Sequence, residues 1–210
     1  MFISDYCHIR NQTLFHRGVE LYKGTGTSLD SFLSETYQAL KVSYPKFYKM
    51  DPLSKLGVIA SEVLFSESDL RQHYKPEQVA LVLANAHASL DTDVRYFEST
   101  KTMASPSLFI YTLSNIVAGE ICIRNGIKGE NAFFVQPAFD SKFMSQYVNQ
   151  LLAETKTEMC LAGWVDVMDE HHDVFLYLTR KTETANAKEH SEESLQKLYQ
   201  FNYGSVDQQS

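Results

Sequence analysis

Residues 105–131 read Ser-Pro-Ser-Leu-Phe-Ile-Tyr-Thr-Leu-Ser-Asn-Ile-Val-Ala-Gly-Glu-Ile-Cys-Ile-Arg-Asn-Gly-Ile-Lys-Gly-Glu-Asn. From 107 to 125 the apolar side chains run nearly all round a helical wheel, which predicts one long, deeply buried helix. Asn125-Gly126 suits a left-handed helix stop. A short apolar strand, Ala132–Val135, follows almost at once.

The flanking sequence alternates in the same way. Upstream, Val79–Ala84 is a continuous apolar run, as in a parallel strand covered on both faces. Before it, Asp51 caps a helix that has Pro52 at its first position and Leu53, Leu56, Gly57, Ala60, Val63 and Leu64 as its buried stripe. Residues 29–42 form an amphipathic helix with Ser28 as cap, and residues 2–10 a first strand. Gly24-Thr25-Gly26 neither follows a strand nor continues to a third glycine, so it reads as a turn and not a phosphate loop. Downstream come a helix over 141–154 and strands at Met159–Val167 and Asp173–Arg180, joined by the polar turn Met168–His172. Five strands with helices between most of them predict one three-layer α/β/α domain over residues 1–181 with a five-stranded mixed sheet. Residues 182–210 then supply a polar linker and a tail. Within the tail, 191–202 form a short helix with Ser191 as cap, fit to dock on the body or on a partner.

Composition narrows the function. The chain has 210 residues, is 44% hydrophobic and 21% charged, and so is neither disordered nor collagen-like. A net charge of -7 argues against nucleic acid or anionic lipid as a partner. No apolar stretch is long enough to span a bilayer, and the N-terminus lacks a basic region followed by an apolar run. A cytoplasmic location is expected. The sequon Asn11-Gln12-Thr13 then has no glycosylation role. Cys7, Cys122 and Cys160 lack metal-ligand spacing and read as reduced, buried thiols. There is no Gly-x-Ser-x-Gly elbow. Asp169-Glu170-His171-His172-Asp173 has metal-ligand residue types, but it sits between two strands, where a solvated hairpin explains it better. His73 and His87 lie near element ends with no ligand pattern beside them. No metal and no cofactor is expected.

The set Ser105, Pro106, Asn115, Ala118, Gly119, Ile121, Ile123, Gly126, Lys128, Gly129 and Asn131 closely resembles the β-ketoacyl synthase family. That family has Ser-Pro, then Asn-x-x-Ala-Gly-x-Ile-x-Ile, then Gly-Leu-Lys-Gly-Pro-Asn. Met50–Ser54, Val79–Asn85 and Glu158–Trp164 are similar to further family segments, so the likeness covers most of residues 1–180. The resemblance implies the N-terminal half of a thiolase-like fold. It also implies a sheet order, in chain order, of third, second, first, fourth, fifth, with the fifth strand antiparallel.

In the family the strand after Gly-Pro-Asn ends in a Thr-Ala-Cys-Ala-Ser-Gly turn that carries the nucleophile. Counting without insertion puts that position on Ala138, which has no nucleophile and can form no acyl thioester. Ser141 reads as a helix-start hydroxyl. The family's two catalytic histidines come from a second α/β copy that this sequence does not contain. The resemblance therefore implies a catalytically inactive partner in acyl-carrier-dependent fatty acid, polyketide or aryl polyene assembly, analogous to a chain-length factor. Two other readings stand beside it. One is a component of an active 3-oxoacyl-[acyl-carrier-protein] synthase with catalytic residues from another chain; the other is an acyl-chain binding module. An acyl pocket, if kept, is expected at Ala138, Phe139, Phe143 and Asn115 under helix 107–125. In the family the strand at 131–136 is a sheet edge that pairs across a dimer. The resemblance thus implies pairing through Ala132, Phe133, Phe134 and Val135, as a homodimer or a heterodimer with a full-length ketosynthase. An acyl carrier protein is a further expected partner.

Overall fold

A computed structural model describes residues 1–26, 28–66, 73–183 and 187–201. The strands are β1 (Phe2–Arg10), β2 (Thr13–His16), β3 (Val19–Lys23), β4 (Val79–Asn85), β5 (Asn131–Val135), β6 (Met159–Met168), β7 (His171–Arg180) and β8 (Lys188–Glu189). The helices are α1 (Leu29–Ala39), α2 (Pro52–Ser66), α3 (Leu90–Thr100), α4 (Pro106–Ile110), α5 (Ile116–Asn125), α6 (Ser141–Glu154) and α7 (Glu192–Tyr199). The strands form one mixed sheet in the order β3-β2-β1-β7-β6-β4-β5, with β8 paired to the start of β1.

Alternation along each strand makes two cores. Leu81, Leu83, Leu161, Val165, Leu176 and Leu178 face α1, α2 and α5. Ala80, Val82, Ala162, Trp164, Phe175 and Tyr177 face α6 and α7. The α/β/α layering is thus as expected, but the sheet is larger than five strands. The additions are β2 and β3, a meander off β1, and the two-residue β8. Both meander turns use left-handed residues, Asn11 (φ 49°) and Gln12 (φ 54°), then Arg17 (φ 50°) and Gly18 (φ 85°). This backbone matches strand twist in two-residue hairpins.

The sheet order also differs from the expected one. The expected central place of β1 belongs to β6, which pairs parallel with β4 and antiparallel with β7. Strand β1 lies outside β7 and antiparallel to it. Burial explains the exchange: β4 is buried at every residue and β6 at eight of ten, whereas β1 alternates over its first half. A tight turn with Asp169 at φ 54° holds β7 beside β6.

The helix expected over 107–125 is two helices. α4 ends at Ile110 and α5 starts at Ile116. Thr112 donates its hydroxyl to the Phe109 carbonyl, and the Ile116 N–H closes a tight turn on Leu113. Such local bonding by Thr, Ser and Asn competes with helix continuation. Phe109, Ile110 and Leu113 are therefore exposed, not buried. Gly126 ends α5 at φ 70°, as its position predicts.

The remaining helix starts follow the sequence. Ser28 accepts from the Ser31 N–H, Asp51 from Ser54 and Asp140 from Phe143. Ser191 caps α7, whose Leu195 and Leu198 dock on the α6 face. Phe201 is half exposed beyond its end, and residue 202 lies outside the described residues.

Candidate functional site: the C-terminal ends of the parallel strands

Strands β5, β4 and β6 run parallel, so their C-terminal ends gather on one rim. The chain leaves β4 for α3–α5, of which α5 packs on one face, and leaves β5 for α6 on the other. Ligands of open α/β sheets bind at such switch points. Here the switch is closed by the Gln136 N–H donating to the Asn85 carbonyl at 2.8 Å. The buried Asn85 side chain bonds the Ala88 N–H and carbonyl, both at 2.9 Å, and fixes the turn after β4.

Ala138 lies in the bend between β5 and α6, exposed and two residues before the Asp140 cap. Phe139 turns inward. Its ring centroid is 4.5 Å from Tyr199, 5.4 Å from Phe175 and 6.5 Å from Trp164. Phe143 belongs to a neighbouring group, 4.8 Å from Phe134 and 5.8 Å from Tyr147. The volume under the bend is thus filled by aromatic rings, one of them from α7. Ser141 donates to Gln196 at 2.9 Å and ties α6 to α7, the structural role of a helix-start hydroxyl.

The structure brings Ala138, Phe139 and Phe143 to one corner but puts Asn115 elsewhere. Asn115 is exposed at the start of α5, which packs on the opposite sheet face. The expectation that residues 107–125 cover the Phe139 corner is corrected by the same fact: the β4-to-β5 crossover and the β5-to-β6 crossover lie on different faces.

Among the described residues, strand β5 is the outermost strand of its end of the sheet and pairs with β4 alone. Ala132, Phe133 and Phe134 are half-buried, and Val135 is 59% exposed. The β4-to-β5 crossover carries Phe97, Met103, Phe109, Ile110, Leu113 and Ile123, all exposed. Monomeric surfaces carry few large apolar patches.

No cysteine is poised for acyl transfer. Burial pushes the Cys7 and Cys160 thiols far up, and that of Cys122 up to about 11. A thiol is the weak form of the nucleophile. Iodoacetamide at neutral pH should leave Cys7 and Cys160 intact and label Cys122 slowly, while denaturant opens all three. Intact-mass spectrometry reads this, and rapid labelling of Cys160 in the folded protein would contradict it.

The histidine-bearing positions divide. His73 is exposed. His87 meets Asp166 across the strand ends at 2.8 Å, a pairing that 79 residues of separation hid from sequence reading. The turn at 169–173 is a β6–β7 hairpin, and among the described residues no group of three or more His, Cys, Asp or Glu is placed to hold a metal ion.

No family model matches the sequence. No curated protein matches it either. Solved structures do share its fold. The ishigamide ketosynthase/chain length factor superposes with a TM-score of 0.61 at 15% identity, over 88% of this chain and 63% of that one. The ketosynthase ApeO in complex with its chain length factor ApeC, from Xenorhabdus doucetiae, gives 0.55 at 13%, over 86% and 78%. A β-ketoacyl synthase from Burkholderia phymatum STM815 gives 0.57 at 9%, over 86% and 59%. The chain thus spans less than two thirds of the first of these structures. The chain shares the fold of these ketosynthase and β-ketoacyl synthase structures.

Proposed function

We propose that this chain is a non-catalytic, ketosynthase-like partner subunit in acyl-carrier-dependent assembly of fatty acid, polyketide or aryl polyene chains. The observation that carries the reading is that, among the described residues, β5 pairs on one side only, while the β4-to-β5 crossover carries exposed apolar residues. An unpaired apolar edge is a template for another chain. A two-fold contact satisfies it on both subunits at once. The solved neighbours include ketosynthases described together with a chain length factor, which supports a partner of that kind. Ala138 at the bend after β5, and the aromatic rings packed behind it, support a subunit that carries no acyl group of its own.

The test joins assembly to chemistry. Light scattering across a concentration series should give a homodimer, or a heterodimer when a full-length ketosynthase is co-expressed. Phe109→Asp with Val135→Asp should return the chain to a monomer. The isolated chain should not condense a malonyl carrier with an acyl primer. A strict monomer that ignores a full-length ketosynthase would overturn the partner role, and condensation by the isolated chain would overturn the non-catalytic one.

A further inference from the structure

A cleft of about 640 Å³ opens beside the ends of β4 and β6, on the side away from β5. The first meander turn and Lys23 form one wall, and His87, Asp166 and the β6–β7 hairpin the other. It lies at the carboxyl ends of parallel strands, where α/β sheets place ligand sites.

Its hydrogen-bonding balance is one-sided. Each carboxylate in its wall already accepts at least one hydrogen bond from the protein. Asp166 accepts from the His87 ring at 2.8 Å and from the Ala86 and His87 N–H groups at 3.1 Å each. Glu170 accepts from the Leu29 N–H at the start of α1. Asp173 accepts from Arg10 at 2.6 Å and from the Tyr199 hydroxyl. His172 uses both ring nitrogens, donating to the Glu170 carbonyl at 2.9 Å and accepting from the Gln12 N–H at 3.1 Å. The donors are in the opposite state. The Lys23 ammonium and the His171 ring make no hydrogen bond or ion pair with the described residues, and His87 keeps its second nitrogen while its ring is 42% exposed. An unused ammonium and two imidazoles with a free ring nitrogen, beside carboxylates already engaged by other donors, are an arrangement that can receive an anion.

We propose that this cleft binds a small oxyanion, the carboxylate or phosphate of a small molecule, between Lys23, His171 and the outer nitrogen of His87. Asp166 holds the His87 ring by its inner nitrogen and turns the outer one toward the cleft. Charge-assisted hydrogen bonds of this kind are about twice as strong as neutral ones. The chain's net charge of -7 works against an anion, but charges more than about 8 Å away are largely screened at physiological salt. The site is independent of the β5 face, so it stands or falls apart from the partner role.

Calorimetric titration of the full chain with inorganic phosphate and, separately, with acetate tests it. Saturable binding of one probe is expected, and which probe binds distinguishes a phosphate from a carboxylate ligand. Lys23→Met and His87→Leu should each weaken it about tenfold. Lys188→Met, on β8, should leave it unchanged. Lys23 is an exposed strand-end residue, so that variant keeps the test valid even if the His87 variant misfolds. Saturation by neither probe, or equal affinity in Lys23→Met and the parent, would overturn the site.

Discussion

Gly163→Ala should abolish folding. Gly163 sits in β6 between Leu83 of β4 and Leu176 of β7, with φ at 146°. A methyl group there would stand 2.0 Å from the Phe175 carbonyl oxygen and 3.0 Å from the Leu176 Cα. Both obstacles are backbone of a central strand, so relief requires moving β7 and everything paired beyond it. A clash of that kind, with unfavourable backbone added, belongs with the rare substitutions that cost more than about 4 kcal/mol. A domain of ordinary stability holds about 5–15 kcal/mol. Insoluble expression, or loss of a cooperative urea transition, is the expected result. Gly119→Ala is the control: in α5, with nothing within 4 Å of the added carbon, it should gain up to about 1 kcal/mol. A Gly163→Ala protein with parental stability would refute the packing described for β6 and β7.

Acid should unfold the protein in a window set by two histidines. His190 is buried beside α7, bonded to Asn149 at 2.8 Å and to the Tyr177 hydroxyl at 3.2 Å. Burial, with the N-terminal ammonium beside it, pulls its pKa down to about 4. His8 is fully buried, stacked on Phe175 at 4.7 Å. Burial and the Arg10 charge pull it down to about 3, against the raising effect of the hydrogen bond its ring donates to the Leu198 backbone carbonyl. Both are neutral when folded. Below the unfolded value of about 6.5 the unfolded chain takes up protons that the folded one refuses, so stability falls as pH falls. The contribution is complete above pH 6.5 and is lost progressively down to the folded values. Each group costs about 1.4 kcal/mol per pH unit in that window, hence about 3 kcal/mol for His190 by pH 4.

Asp5 acts lower on the scale. Burial raises its pKa, but His16 and Arg17 outweigh that and leave it below the usual value, so its contribution is lost only under about pH 4. Urea melts at pH 7.5, 6, 5 and 4, followed by Trp164 fluorescence, should show the steep decline, and His190→Gln should flatten part of it. Constant stability from pH 7 to 5 would contradict the buried neutral histidines.

The sequence was most legible where one element answers to one local cause. The apolar run at Val79–Ala84 is a fully buried parallel strand, and Asp51-Pro52 opens a helix, because each signal is complete within a few residues. Elements held by distant partners were not legible. α3 is mostly polar and the sequence pattern assigns no element to its stretch, yet its Asp91 accepts from the Asp169 N–H and its Thr92 donates to Asp51. The β1–β2–β3 meander turns on left-handed Asn, Gln and Arg, where the common signal is Asn-Gly or Asp-Gly. The break at 111–115 was masked because its exposed apolar residues look like core in a helical wheel. The bend at Ala138 could be placed by counting along the resemblance, but the aromatic group behind it draws Tyr199 from the tail, and no local pattern announces that. His87 and Asp166 likewise meet only because β4 and β6 are neighbours.

The two ends of the sheet are unlike each other. At one end β5 offers Ala132–Val135 with little charge. At the other, β3 is five residues long, carries Glu20 and Lys23, and joins β2 through an irregular register between Leu14 and Phe15. A sheet adhesive at both borders has no natural stopping point, since each copy added exposes a fresh border and the product is a fibre. Were adhesion confined to the β5 border, joining two copies would consume it in both, and growth would end at a pair. Under the proposed pairing through β5, the difference between Ala-Phe-Phe-Val and Val-Glu-Leu-Tyr-Lys is a limit on polymerisation written into the outermost strands.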